Sequence, residues 1–272
     1  MIFYSHCKIN IGLNVTAKRS DGYHNIESLF YPVKAISDAI EIVPCQQQSP
    51  IEFSSSGIEV DCSSDKNLCV RAYMLMRERY GIGAVKMHLH KNIPLGAGLG
   101  GGSANCATVI KGLNEVFSLG LDSETICSLG AELGSDVPFF IDEQPAWVSG
   151  RGELLHRADV SLEGLYLIII KPEVHISTPW AYSQIAPEDK GNLRAKIEQG
   201  IDSWRANVEN DFEDAVFKEH TIIKDIKQSL YSSGALFALM SGSGASVYGI
   251  FRQKPTEDFK LKAQCFVFEC VM

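Results

Sequence analysis

Apolar and polar residues alternate one for one over residues 9–15: Ile9, Ile11, Leu13 and Val15 take one side, Asn10, Gly12 and Asn14 the other. A strand turns successive side chains to opposite faces, so Lys8 joins the polar face. Asp21-Gly22 then predicts a turn, and residues 26–33 a returning strand. Leu68, Ala72, Leu75 and Met76 recur at helical steps, which predicts a helix over 67–80 stopped by Gly81. Val85, Met87 and Leu89 alternate with Lys86, His88 and His90 in a further strand that ends at Pro94. Ala107, Ile110, Leu113 and Phe117 predict a helix opening near Ser103. A second helix over 123–133 closes at Gly134 and leads into Ser135-Asp136-Val137-Pro138 and a short apolar strand.

The second half follows another order. Residues 165–170 form a continuous apolar strand, and helical patterns run across roughly 193–231. Residues 236–240, the turn Ser241-Gly242-Ser243-Gly244 and residues 245–251 read as a strand pair. A short helix near 256–264 and a last strand over 265–271 follow. Strand, helix, strand, strand, helix, strand is the split βαβ order of a ferredoxin-like domain. The connection between the halves falls near 150–163, where Gly150, Gly152 and several charges interrupt any period.

Composition narrows the function classes. The chain has 272 residues, 45% of them hydrophobic, which suffices for a large core. With 25 basic against 33 acidic residues the net charge is −8. No basic stripe with interleaved aromatics appears, so no nucleic-acid partner is expected. An anionic substrate would have to be held by local groups against the overall field. The eight cysteines, at 7, 45, 62, 69, 106, 127, 265 and 270, form no C-x-x-C pair and no zinc framework. Residues 1–8 lack the features of a signal peptide, and no apolar run is long enough to cross a bilayer. A reduced, cytoplasmic protein with no membrane partner is expected.

The densest chemical signal is the stretch 96–102, with five glycines in seven residues between a strand and a helix. Glycines let the backbone aim N–H groups at a ligand without Cβ interference. A helix opening next adds unpaired amides and a partial positive charge, which makes a phosphate cradle. It is no Walker A loop, because Gly102-Ser103-Ala104 lacks the lysine, and the partner motifs of protein kinases are absent. Gly96-x-Gly98-x-x-Gly101 with Asp122 about twenty residues on also fits the dinucleotide fingerprint of an oxidoreductase. That fold needs a second parallel strand ending at the acid, whereas 113–133 reads as helix, turn, helix.

Asp136 precedes Val137-Pro138, where the backbone is biased to extended geometry. Taken singly it reads as an aspartate in a turn, and Lys8 as a solvated lysine at a strand start. As a pair they would suit phosphoryl transfer. The carboxylate accepts the proton of a substrate hydroxyl, while the ammonium keeps that carboxylate ionised and draws charge from the phosphoryl group.

The segment Pro94-Leu95-Gly96-Ala97-Gly98-Leu99-Gly100-Gly101-Gly102-Ser103-Ala104 resembles the ATP loop of the GHMP kinases, the superfamily of galactokinase and of homoserine, mevalonate and phosphomevalonate kinases. Met240-Ser241-Gly242-Ser243-Gly244-Ala245 resembles their C-terminal glycine motif. Lys8-Ile9-Asn10, Asp21-Gly22-Tyr23-His24 and Gly134-Ser135-Asp136-Val137-Pro138-Phe139 resemble the branch of the non-mevalonate isoprenoid route that acts on a cytidine diphosphate-linked methylerythritol. Their order and spacing cover nearly the whole chain.

The resemblance implies a two-domain α+β fold: an N-terminal ribosomal-protein-S5-like domain over 1–156 and a C-terminal ferredoxin-like domain over 157–272, with the active site in the cleft between them. It implies ATP and Mg²⁺ as cofactors and a monomer or weak homodimer. Lys8 and Asp136 become the catalytic pair, with Asp136 as base. Residues Pro94, Leu95, Gly96, Ala97, Gly98, Leu99, Gly100, Gly101, Gly102, Ser103 and Ala104 hold the ATP phosphates, and Asn67 lies by the adenine. Tyr23, His24 and Tyr182 hold the cytosine, Asn10 contacts the substrate near the reacting hydroxyl, and Thr178 belongs to the same pocket. Where the family often reads Ser-Ser-Asp-Ala-Ala this chain has Ser103-Ala104-Asn105-Cys106-Ala107, which leaves the metal ligands unassigned and Ser103 a candidate. His6-Cys7 stands where Pro-Ala is usual. A mevalonate- or homoserine-type kinase is the nearest alternative, less suited to Asp21-Gly22-Tyr23-His24.

Overall fold

The computed structural model describes residues 1–60, 63, 65–259 and 265–272. Two compact units emerge, each discontinuous in sequence. The first comprises Met1–Cys7, Ile36–Leu95 and Gly100–Glu143, the second Lys8–Ala35, Gly96–Leu99 and Gln144–Met272. Strands β1 (Ile2–Lys18) and β2 (His24–Pro44) contribute residues to both. They are joined by the expected turn, where the Arg19 amide donates to the Tyr23 carbonyl and Gly22 stands at φ 85°.

In the first unit, β3 (Ile51–Gly57) runs parallel to β4 (Val85–Lys91), and β4 runs antiparallel to residues 39–44 of β2. One face of this sheet is covered by apolar side chains of α1 (Leu68–Tyr80) and α2 (Gly101–Val116), among them the fully buried Tyr73, Val109, Ile110 and Leu113. Helix α1 ends at Gly81, whose φ of 63° closes the last turn onto the Arg77 carbonyl. Helix α3 (Ser123–Leu133) is capped by Asp122, which accepts from the Thr125 amide at 2.9 Å. Asp122, the acid of the dinucleotide fingerprint, is therefore a helix cap, and helix, turn, helix fills the place of a second parallel strand.

The short apolar strand expected after Pro138 is instead a helical turn, α4 (Phe139–Asp142). Pro138 adopts φ −55° and ψ −34°, and the amides of Phe140 and Ile141 bond back to Val137 and Pro138. Three apolar residues have no period that distinguishes helix from strand, and proline favours a first helical turn.

In the second unit, β5 (Ala146–Ser149) pairs with residues 28–30 of β2 and, through a hairpin, with β6 (Leu154–Arg157). A regular strand thus occupies part of the stretch read as a connection. A separate sheet contains β7 (Tyr166–Pro172), β8 (Phe237–Met240), β9 (Val247–Phe251) and β10 (Cys265–Val271) in the order β10-β7-β9-β8, all antiparallel. That is the strand order of a ferredoxin-like sheet. Between β7 and β8 lie α5 (Thr178–Ser183), α6 (Leu193–Glu198), α7 (Ile201–Asn207), α8 (Glu213–Glu219) and α9 (Thr221–Ser232). The helix expected near 256–264 falls largely on residues 260–264, outside the described residues. Among the described residues no helix is long and apolar enough to cross a membrane.

Candidate active site

Strand β1 is buried on both faces where its alternation suggested one. Lys8, Asn10 and Asn14 are 3%, 1% and 3% exposed. A buried polar face costs free energy unless its groups find partners, and most of these do, within the second unit. Lys8 Nζ donates to Asn10 Oδ1 and, at 3.2 Å, to the Gly98 carbonyl, and lies 4.4 Å above the Phe30 ring. The Asn10 side chain donates to Ser28 Oγ at 3.0 Å, and Ser28 passes its own hydrogen to the Gly12 carbonyl. The Asn10 backbone amide donates to Ser241 Oγ, which donates to the Gly98 carbonyl at 2.9 Å. Lys8 and Asn10 therefore stand in one network with the tip of the glycine loop.

The tip itself is seated on the second glycine turn. The amides of Ala245 and Ser246 reach the carbonyls of Gly96 and Ala97 at 3.3 and 3.2 Å. Gly96, Gly98 and Gly100 have φ of 57°, 70° and 71°, the left-handed region open to glycine. Ala97 and Leu99 are buried at 3% and 1%, so their side chains anchor the loop and would meet a ligand only through their backbone. His175 Nδ1 stands 3.0 Å from the position of a Cβ on Gly96.

In the first unit, residues 100–104 open α2. Gly100 caps the helix without a side chain, and its first turn contains no acidic residue. The amides of Gly101, Gly102 and Ser103 thus start a sixteen-residue helix whose own first turn supplies no carboxylate to compete for them. Pro94 is buried, Leu95 is exposed and Ala104 is fully buried. Asp136 is half-buried in the turn 135–138. That turn is packed against α3: a Cβ on Gly130 would come within 2.8 Å of Val137 Cγ1. Its start also lies beside α2, with Ser103 Oγ 4.0 Å from a Cβ placed on Gly134. Lys111 of α2 donates to the Phe140 and Ile141 carbonyls, fixing the far end of the turn. Asn67 is the N-cap of α1, its Oδ1 accepting from the Cys69 amide at 2.9 Å.

The aromatic residues gather in the second unit. His24 and Tyr182 stack, centroids 4.9 Å apart at 19°, and Tyr182 meets Phe212 edge-on at 4.9 Å. Partial burial, aided by Lys18, holds the His24 imidazolium below its usual range, so the ring is neutral near pH 7. Tyr23 is exposed, with the Arg151 guanidinium 5.1 Å from its ring. Its amide donates to Asp21 Oδ1, and the Arg19 guanidinium and that amide hold the Asp21 carboxyl below the usual carboxylate range. Thr178 Oγ1 lies 2.9 Å from Ser243 Oγ, which ties α5 to the second glycine turn.

Several supporting residues escape a reading by motif. Asn210 donates to the carbonyls of Met240 and Gly242, at 2.8 Å each, and accepts from the Phe212 amide. Glu213 accepts from the Met240 amide and from Lys227. Burial pushes the Glu213 carboxyl up while Lys227 pulls it down. The one available signal was polar residues set among apolar ones in Asn210-Asp211-Phe212-Glu213. Among the described residues, no group of three or more His, Cys, Asp or Glu is placed to hold a metal.

The fold and the two glycine motifs define a class of small-molecule kinase, and comparison with known proteins agrees. The family described as GHMP kinases N terminal domain matches residues 67–144, and that described as GHMP kinases C terminal matches 190–268. Curated relatives named 4-diphosphocytidyl-2-C-methyl-D-erythritol kinase include those of Parabacteroides distasonis, 42% identical over 99% of this chain and 98% of its own, and of Bacteroides fragilis, 42% identical over 99% of each. A crystal structure of 4-(cytidine 5'-diphospho)-2C-methyl-D-erythritol kinase aligns with a TM-score of 0.77 at 30% identity, covering 92% of this chain and 90% of the other. A mevalonate kinase from Methanococcus jannaschii aligns with a TM-score of 0.71 over 100% and 98% of the two chains, but at 15% identity, which shows the fold alone. The chain belongs to the GHMP kinases and, within them, to the family of 4-diphosphocytidyl-2-C-methyl-D-erythritol kinases.

Proposed function

We propose that this chain transfers the γ-phosphate of ATP to the 2-hydroxyl of 4-diphosphocytidyl-2-C-methyl-D-erythritol. The observation that carries the reading is the seating of the first glycine loop on the second, with Lys8 bonded to its tip and Asn10 linked to it through Ser241, in a chain 42% identical to relatives of that name. Residues 94–104 hold the phosphates through backbone amides, and the Asn67 amide nitrogen serves the adenine. Asp136 accepts the proton of the attacking hydroxyl, and Lys8 offsets charge on that carboxylate and on the transferred group. Asn10 orients the hydroxyl, while Tyr23, His24, Tyr182 and Thr178 hold the cytidine end.

Mg²⁺ keeps several waters and takes other oxygens from substrate phosphates, and the Ser103 hydroxyl in the cradle is a candidate donor from the protein, the remaining ligands being unassigned. When bound, the ion would neutralise charge between the β- and γ-phosphates. Residues 1–156 and 157–272 serve as the two domains, a division supported by where the two family matches fall. We place the enzyme in the cytoplasm as a monomer or weak homodimer, without nucleic-acid or membrane partners.

Purified protein is expected to consume ATP when offered 4-diphosphocytidyl-2-C-methyl-D-erythritol and not when offered mevalonate or homoserine. Turnover of either of those alcohols in its place would reject the assignment. Within the cytidine pocket, Tyr182→Ala is expected to raise the KM for that substrate about tenfold, since stacking contributes roughly 1–3 kcal/mol per base. The KM for ATP should stay unchanged, and an unaltered substrate KM would remove Tyr182 from the pocket.

A further inference from the structure

Asp38 lies on β2 and is completely buried, as is its ion-pair partner Lys91 at the end of β4. Two charges taken from water cost several kcal/mol, and their attraction at best offsets that loss, so the pair is a weak source of stability. What it specifies is geometry. Asp38 Oδ1 accepts from the backbone amides of Asn92 and Ile93, both at 2.8 Å, immediately before the glycine loop. Oδ2 accepts from Lys91 Nζ and, at 2.8 Å, from the side chain of Asn105, in the second turn of α2 immediately after the loop. The other hydrogen of that amide goes to Ser5 Oγ at 3.0 Å. Lys91 Nζ lies 3.1 Å from the position of a Cβ on Gly101, so the ammonium sits under the first residue of α2. One carboxylate therefore fastens both ends of the loop, and Asn105, where the family often has Asp, is spent on that link.

We propose that Asp38, with Lys91 and Asn105, is a positioning residue that sets the spacing between the two ends of the nucleotide loop and thereby its affinity for the ATP phosphates. The inference rests on residues 94–104 being the ATP loop.

Asp38→Asn separates the two links. The new amide oxygen can still accept from Asn92 and Ile93, but its NH₂ faces the donors Lys91 and Asn105. A buried donor left without an acceptor is costly enough to predict a rise of about tenfold in the KM for ATP. Turnover at saturating ATP and the KM for the cytidine-bearing substrate should hold. Asn105→Leu, which leaves the ion pair intact, should raise the ATP KM several-fold. The double variant Asp38→Asn/Asn105→Asp restores a donor facing an acceptor and returns a carboxylate to Lys91, so ATP affinity should recover. Thermal unfolding is followed for each variant.

A lowered unfolding temperature with an unchanged ATP KM would overturn the proposal. Should Asp38→Asn not fold, an unchanged ATP KM in Asn105→Leu overturns it equally. Gly102→Asp separates this failure from failure of the loop reading. An acid in the first helical turn favours the helix but competes with phosphate, and Gly102 has room, its nearest neighbour being Leu68 Cδ1 at 3.6 Å from a Cβ. If Gly102→Asp weakens ATP binding while the Asp38 and Asn105 variants do not, this proposal alone falls. If none of them alters it, the loop reading falls too.

Discussion

Asp136→Asn is expected to lower kcat about 10³-fold, the middle of the range for losing a positioned general base, while ATP binds as before. The amide has the carboxylate's shape and no basic oxygen for the proton of the attacking hydroxyl. The surrounding turn has anchors besides Asp136: Val137 is fully buried against α3, Pro138 fixes the backbone, and Lys111 holds the carbonyls beyond. A melting curve like that of the parent should separate this loss from misfolding. Single-turnover measurement with preloaded ATP isolates the chemical step from product release. Near-normal turnover in this variant would remove Asp136 from the mechanism and leave catalysis to positioning and charge.

How far the site could be read from the chain depends on the range of each interaction. The glycine loop, the helix after it and the strand order of the second half are local patterns, and they stand in the structure close to where periodicity put them. Alternation in β1 disclosed Lys8 and Asn10 as one polar face, but not that this face is buried, because burial depends on residues as distant as Ser241. His24 and Tyr182 stack across 158 positions, and no local period encodes that contact, so only the family resemblance suggested it. Asp38 is harder still. It looks like a polar interruption in a strand, and its meaning comes from amides 54 and 55 residues on. Phe139–Asp142 departs from the expected strand for a different reason: three apolar residues do not span enough of either period to separate them.

Gly98→Val should cost the protein its grip on ATP by about a hundredfold, an effect assembled from two independent sources. At φ 70° a β-branched side chain sits in the left-handed region, which costs roughly 1–3 kcal/mol wherever it occurs. Its Cβ would in addition lie on the Ser241 carbonyl and within 3.2 Å of the Gly244 carbonyl. Those are backbone atoms of a turn tied to Asn210, so they cannot yield as a flexible side chain would. The loop tip must lift instead, breaking the bonds that Lys8 and Ser241 make to the Gly98 carbonyl and dispersing the amides aimed at phosphate. Gly164→Ala isolates the first source: its φ is 79°, and nothing lies within 4 Å of the added Cβ. That variant should lose some stability and bind ATP as the parent does. Nucleotide titration of the two variants side by side decides the matter, because unchanged affinity in Gly98→Val would mean that the loop grips something other than the ATP phosphates.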